Sequence, residues 1–221
     1  MRFKSVFSII GPAMIGPSSS HTAGAVRIGR FARRLLGEQP TEANICFYGS
    51  FAETFKGHGT DLAVMGGILD YNTDDEKIRD SLQYAEVAGI NVTLRTATAA
   101  DCHPNTVKIR LKGHQQKIEV MGASIGGGTI VIQKINGFDI KCTGELPTLV
   151  IQHDDYPGVL ASITTSLHQH NINIGFITTD RTGRTAKALT VVEADESLSI
   201  DVCQWLANLP HVNQVNLVDL A

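Results

Sequence analysis

At 221 residues the chain can hold one large domain or two small ones, each with a buried core. Its 43% apolar content is ordinary, and a net charge of −3 points away from nucleic acid and from an anionic membrane as partners. The charge is uneven: residues 1–146 carry 16 Lys or Arg against 14 Asp or Glu, whereas residues 147–221 carry 3 against 8, which marks a domain boundary near Pro147. Four cysteines (Cys46, Cys102, Cys142, Cys203) are scattered without a C-x-x-C pair. That argues against a zinc ribbon or a self-contained cluster and suits reduced thiols in a cytoplasmic protein. Arg2 and Lys4 precede an apolar stretch that Gly11-Pro12 and Gly16-Pro17 interrupt, so it reads as neither a signal peptide nor a membrane span.

Residues 3–10 suit a short helix or strand. The near-duplicate Ile10-Gly11-Pro12 and Ile15-Gly16-Pro17 then form a stiff approach to Ser18-Ser19-Ser20-His21-Thr22. A helix follows, with Val26, Ile28, Phe31, Ala32, Leu35 and Leu36 as its apolar set and Gly37 as its stop. Ser19 or Ser20 is the expected N-cap. Free amides and added hydroxyls at this helix origin make a seat for a carboxylate or phosphate, and His21 lies at its rim as a neutral ring able to take a proton. Arg27, Arg30 and Arg34, with Arg33 beside them, read as a solvated face or as a surface for an acidic partner.

Residues 43–48 alternate as a strand. Gly57-His58-Gly59-Thr60-Asp61 then opens an apolar helix, Leu62 to Leu69, with Thr60 as its cap. A third helix is expected from the capping box Thr73-x-x-Glu76 to Gly89. Strands follow at 90–98, 105–112 and 117–122, then Thr129–Ile135 and Phe138–Cys142 around an Asn136-Gly137 hairpin turn. The polar segments His103-Pro104-Asn105 and Ser124-Ile125-Gly126-Gly127-Gly128 interrupt them. Residues 1–146 therefore read as a mixed α+β domain, helices early and strands late.

Residues 147–221 read as strand, helix, strand, strand, helix, strand: Leu149–His153, Val159–His170, Ile172–Thr179, Thr185–Ala194, Ile200–Leu209 and Val212–Leu217. That order suits a ferredoxin-like βαββαβ fold, making the whole chain α+β. The half also resembles an ACT domain, a small amino-acid-sensing module, with Asp155-x-Pro157-Gly158 at the turn after its first strand. The resemblance implies pairing side by side, as a homodimer, and effector contacts at Asp155, Gly158 and Asn173. A purely structural or dimerising ACT fold is the other option it leaves.

Taken together, Gly16–Thr22, Gly57–Asp61, His103–Asn105 and Ser124–Gly128 resemble the beta subunit of the iron–sulfur-dependent bacterial L-serine dehydratases. With the ACT-like half, the resemblance spans nearly the whole chain. It implies a substrate-binding-type first domain and the conversion of L-serine to pyruvate and ammonia. It also implies a [4Fe–4S] cluster held by a partner alpha subunit, without which this chain would be inactive. Within that frame Ser18, Ser19, Ser20 and Thr22 hold the substrate carboxylate, and His21 is the leading base or relay. His58 and Asp61 orient the substrate or His21, and Asn105, Gly126, Gly127 and Gly128 line the site. Asp61 can equally serve its helix start alone.

Other readings compete. His21, His58, Asp61, Cys102 and His103 have residue types that suit zinc or iron, although their spacing matches no ligand signature. Lys56 is the nearest thing to a pyridoxal-phosphate lysine. The first domain also resembles the small-ligand domain that precedes ACT domains in some phosphoglycerate dehydrogenases, which would make the chain a non-catalytic sensor of serine or an anion.

Overall fold

Helix α1 (Gly24–Leu36) forms where the apolar spacing of Val26, Ile28, Phe31, Leu35 and Leu36 puts it, and all five side chains are buried. The coordinates are those of a computed structural model describing residues 12–99, 101–184 and 186–220. The apolar segment at 3–10 and Thr185 lie outside these residues. Gly37 ends α1 in the left-handed region, φ 73°, and its N–H donates to the Arg33 carbonyl at 3.2 Å. At the other end the cap is Ser18, not Ser19 or Ser20. The turn Ser19–Ala23 is a π-helix in which the Gly24 N–H reaches back five residues to the Ser19 carbonyl. One extra residue enters the turn, so the cap moves back, and Ser18 Oγ accepts the His21 N–H at 3.3 Å.

The chain divides between Asn136 and Gly137 into two units, while the charge step at Pro147 falls later. The first unit continues through β1 (Glu42–Tyr48), α2 (Gly49–Thr54), α3 (Thr60–Ile68) and a 3-10 turn (Glu76–Asp80). It ends with α4 (Ser81–Val87), β2 (Asn91–Ala97), β3 (Thr106–Lys112), β4 (Lys117–Gly126) and β5 (Thr129–Ile135). Its strands lie in the order β2-β1-β3-β4-β5. The β1–β2 pair is parallel and the other pairs are antiparallel. Ala43, Ile45 and Phe47 of β1 are buried with Val107, Ile109 and Leu111 of β3, and α1 lies against β3, β4 and β5. Burying a side chain of Phe31's class stabilises by roughly 1.5–3 kcal/mol, and a dozen such residues make this the unit's main driving force.

Helices α1 and α3 meet through glycines. A Cβ on Gly67 would strike the Val26 carbonyl and sit 2.8 Å from the Arg30 nitrogen, and one on Gly29 would strike the Val64 carbonyl. The pair is further clasped by Asp70, which binds Arg30 (3.4 Å) and Arg34 (2.8 Å), so part of the arginine face serves packing. Two further helix starts differ from expectation. Gly59 (φ 66°) caps α3, because the chain enters through the left-handed region, and Thr60 is drawn inside the first turn. The Thr73 capping box does not form: Thr73 Oγ1 donates to the Ala13 carbonyl at 2.6 Å, and Asp75 caps the 3-10 turn by accepting from the Lys77 N–H at 2.9 Å.

The chain passes into the second unit through Asn136 (φ 51°) and Gly137 (φ 87°), the expected two-residue turn. This unit comprises β6 (Phe138–Cys142), β7 (Thr148–Asp154), α5 (Val159–Gln169), β8 (Ile174–Arg181), β9 (Lys187–Ala194), α6 (Ile200–Ala207) and β10 (Val212–Val218). From β7 onward the element order is βαββαβ, and the antiparallel sheet runs β10-β7-β9-β8. Leu149, Ile151, Ile163, Leu167, Val192 and Leu206 form its core. The protein is thus mixed α+β with two sheets, and among the described residues no helix is long and apolar enough to cross a membrane.

Candidate functional site

The π-turn before α1 carries His21 inward, leaving it 9% exposed. Its Nδ1 lies 3.4 Å from Ser18 Oγ and 3.3 Å from Ser20 Oγ, and its Nε2 lies 3.4 Å from Ser50 Oγ. A hydroxyl donates or accepts, so these three satisfy either neutral tautomer without moving. The ring stands edge-on to Phe51 (5.1 Å between centroids) and to His58 (5.0 Å). Burial first, and the neighbouring His58 second, hold the His21 pKa below its ordinary 6.5, so it is neutral at pH 7.

The other polar segments meet this helix origin from the sheet side. The Phe51 N–H donates to the Pro104 carbonyl (3.3 Å), so the 103–105 loop supports α2 and its Ser50. Asn105 Nδ2 donates to the Ser124 carbonyl (3.4 Å), and its own carbonyl accepts from the Ser124 N–H (3.0 Å). His103 Nδ1 accepts from the Asn105 N–H at 3.2 Å. Ser124 in turn lies flush against Gly24, leaving no room for a Cβ there. Gly126, Gly127 and Gly128 turn β4 into β5 with positive φ, and the Gly128 carbonyl accepts from Arg27 Nη1 at 3.2 Å. The four segments therefore do converge on one helix start.

A cleft of about 310 Å³ opens beside it, bounded by Ile15, Gly16, Pro17 and Thr22, by Gly57, His58, Gly59 and Leu62, and by Ile78 and Arg79. His58 is exposed on its wall, and His21 stands behind it. Ser18, Ser19, Ser20, Asn105, Gly126 and Gly127 are not on that wall. Asp61 is buried, and its Oδ1 accepts from the Leu62 N–H at 2.9 Å, at the start of its own helix. Burial pushes its carboxyl above the usual range, against the pull of that amide. Thr22 is 2% exposed, and its Oγ1 has no hydrogen-bond partner among the described residues.

Sequence reasoning missed Ser50, Phe51 and Arg79. Gly49 (φ 53°) before Ser50 was a usable sign of a turn after β1. Nothing marked Arg79, which reads as one more solvent-facing residue of a helix. The proposed metal set is not assembled: Cys102 Sγ faces the Ala99 carbonyl (3.6 Å), and among the described residues no three His, Cys, Asp or Glu are grouped to hold a metal.

In the second unit Asp155 and Gly158 line a cleft of about 530 Å³ with Tyr156, Thr179, Arg181 and Arg184. Arg181 Nη1 binds Asp155 Oδ2 at 3.1 Å. Asn173 is engaged elsewhere, through Nδ2 to Asp195 Oδ2 (2.6 Å) and N–H to Glu196 Oε2 (2.7 Å). His153 Nδ1 meets the Asp154 carbonyl at 2.8 Å, and a carbonyl only accepts, so Nδ1 carries the proton. Its Nε2 then accepts from Thr190 Oγ1 (2.8 Å), which fixes the ring in place.

Comparison with known proteins adds four findings. The family model for the serine dehydratase beta chain matches residues 5–89. The probable L-serine dehydratase beta chain of Bacillus subtilis is 44% identical over 218 residues, covering 99% of both chains. The L-serine dehydratase beta chain of Peptoniphilus asaccharolyticus is 39% identical over 197 residues, covering 88% of this chain and 89% of that one. An L-serine dehydratase of Haemophilus influenzae is 31% identical over 60% of this chain and 35% of its own length.

Proposed function

The chain belongs to the L-serine dehydratase beta chains, and on that footing we propose that the Thr22–His58 cleft is its share of the enzyme's serine-handling site. Loss of water from L-serine gives aminoacrylate, which hydrolyses to pyruvate and ammonia. The step requires a base for a weakly acidic α-proton, help for a hydroxyl leaving group and a hold on the carboxylate. One observation carries the assignment of the base: of two histidines in edge contact, His58 lines the cleft, while His21 is buried behind it and held neutral. His58 takes the proton, and His21 fixes its ring. Ser18, Ser20 and Ser50 serve the His21 imidazole rather than a substrate carboxylate. Asp61 holds the start of α3.

The donor set here does not fit an iron–sulfur cluster. Cys46, Cys142 and Cys203 lie on β1, β6 and α6, Cys102 lies in a loop, and burial pushes the Cys142 thiol far up, toward its protonated form. We therefore assign the [4Fe–4S] ligands to the alpha subunit, a partner that this chain needs for turnover. The second unit reads as an ACT-type sensing module, supported by its βαββαβ order and by the cleft at Asp155 and Gly158. Pairing of two such modules along the exposed β8, which carries Phe176 and Ile177, and a cytoplasmic location complete the reading. High identity to beta chains over the whole length does not favour the non-catalytic sensor.

Co-expression with a cysteine-bearing alpha chain tests this. The expected result is a brown complex that forms pyruvate from L-serine, with neither chain active alone. An alpha chain fully active without this one would overturn the proposal.

A further inference from the structure

The Thr22–His58 cleft needs a counter-charge for the substrate carboxylate, and the serine motif does not supply one. Its walls are mostly apolar or backbone, from Ile15, Pro17, Leu62 and Ile78, and the one permanent charge among its lining residues is the guanidinium of Arg79. We infer that Arg79 grips the substrate's α-carboxylate, with the Thr22 hydroxyl as second donor, and that this pair selects α-carboxylates over neutral analogues. The inference rests on the function proposed for this cleft.

Three features fix Arg79 in place. It follows Ile78, which is 3% exposed and packs on α3 so closely that a Cβ on Gly66 would sit 2.9 Å from it. On one side Asp75 caps the turn through the Lys77 N–H; on the other, Ser81 Oγ donates to the Leu62 carbonyl at 2.7 Å. The backbone around Arg79 is thus tied to α3, whose start carries the loop of His58. The lining segment at Ile15 is tied to the chain just before this turn: the Ile15 N–H donates to the Thr73 carbonyl (2.8 Å), and Thr73 Oγ1 donates to the Ala13 carbonyl (2.6 Å). Arg79 therefore lines the cleft from an anchored backbone, in company with Gly16, Pro17 and Thr22.

The chemistry suits the place. A guanidinium is charged at every working pH and offers a planar fork that matches a carboxylate's two oxygens. Thr22 lines the cleft, its Oγ1 is buried beside Gly16 and unpartnered among the described residues, and a ligand oxygen would satisfy it. With its carboxylate at Arg79 and Thr22, a bound α-amino acid shares the cleft with His58.

The test uses the complex of this chain with its alpha subunit, carrying Arg79→Gln or Arg79→Lys. Arg79→Gln should raise KM for L-serine roughly tenfold to a hundredfold while kcat changes little, the loss expected for one charged hydrogen-bonding partner. Arg79→Lys should fall between, and added ethylguanidine should lower the KM of an Arg79→Ala variant. As competitors, L-alanine should lose its advantage over L-alaninamide in Arg79→Gln. An unchanged KM and an unchanged preference in Arg79→Gln would overturn the inference; if His58→Ala is inactive at the same time, the reading of the cleft still stands. Full turnover by His58→Ala would instead remove the cleft reading itself, and with it this inference.

Discussion

His21 and His58 stand edge to face, with ring centroids 5.0 Å apart, one buried and the other exposed. Two imidazolium ions at that separation would repel, so the buried ring is the one that stays neutral. This has a consequence for stability. A histidine with a lowered folded pKa takes up its proton more readily in the unfolded chain. Stability is therefore full above the unfolded value of about 6.5 and falls as pH drops below it. Urea unfolding at pH 7.5 and 5.5 should show that loss, and His21→Gln should reduce it. A loss of the same size in the variant would show that other groups cause it.

Ser50 touches His21 Nε2 from α2, an element the sequence did not announce. If the hydroxyls hold the His21 ring for His58, Ser50→Ala should lower kcat about fivefold, the worth of one neutral hydrogen bond, and leave KM for L-serine nearly unchanged. A raised KM with unchanged kcat would mean that Ser50 meets the substrate instead.

Asp61 offers a sharper contrast between structural and chemical roles. Its folded pKa is raised by burial, so the folded state resists its ionisation. Stability is lost as pH rises from the unfolded value near 3.8 through the folded one. Asp61→Asn keeps an acceptor for the Leu62 N–H and removes the charge. It should raise Tm by about 2–4 °C for each kcal/mol regained in a chain of this size, with kcat within threefold of wild type, about the effect of half a kcal/mol. Loss of turnover in a folded Asp61→Asn protein would restore the carboxylate to the chemistry.

Gly67 and Gly29 set how closely α1 and α3 approach, and α1 carries the histidine turn. Gly67→Ala places a Cβ against the Val26 carbonyl. The cost should be about 1–3 kcal/mol of overpacking, seen in thermal unfolding, with a loss of activity as the helix origin shifts. A neutral Gly67→Ala would show that the two helices have room to separate.

Much of the fold was legible from apolar period and turn chemistry. Phe31 and Leu35 placed α1, Gly37 ended it, Asn136-Gly137 placed a turn, and alternation placed β1 and β3. The errors arose where one residue had two available partners. Thr73 fits a capping box, yet its hydroxyl goes to Ala13, a contact that no local pattern encodes. Ser19 and Ser20 looked like caps because nothing in the sequence signals a π-turn. The site was legible as a set of motifs, and the His21–Ser cage follows from their adjacency. Arg79 was not, because its place on the cleft lining goes with the packing of the neighbouring Ile78 on Gly66, a relation between distant residues.

The measurement that bears most directly on all this is pyruvate formation by the assembled two-chain complex carrying His58→Asn. With His58 as the base, kcat should fall by about 10²–10⁴-fold while the complex still assembles and still binds L-serine. Turnover at the wild-type rate by that complex would contradict the account.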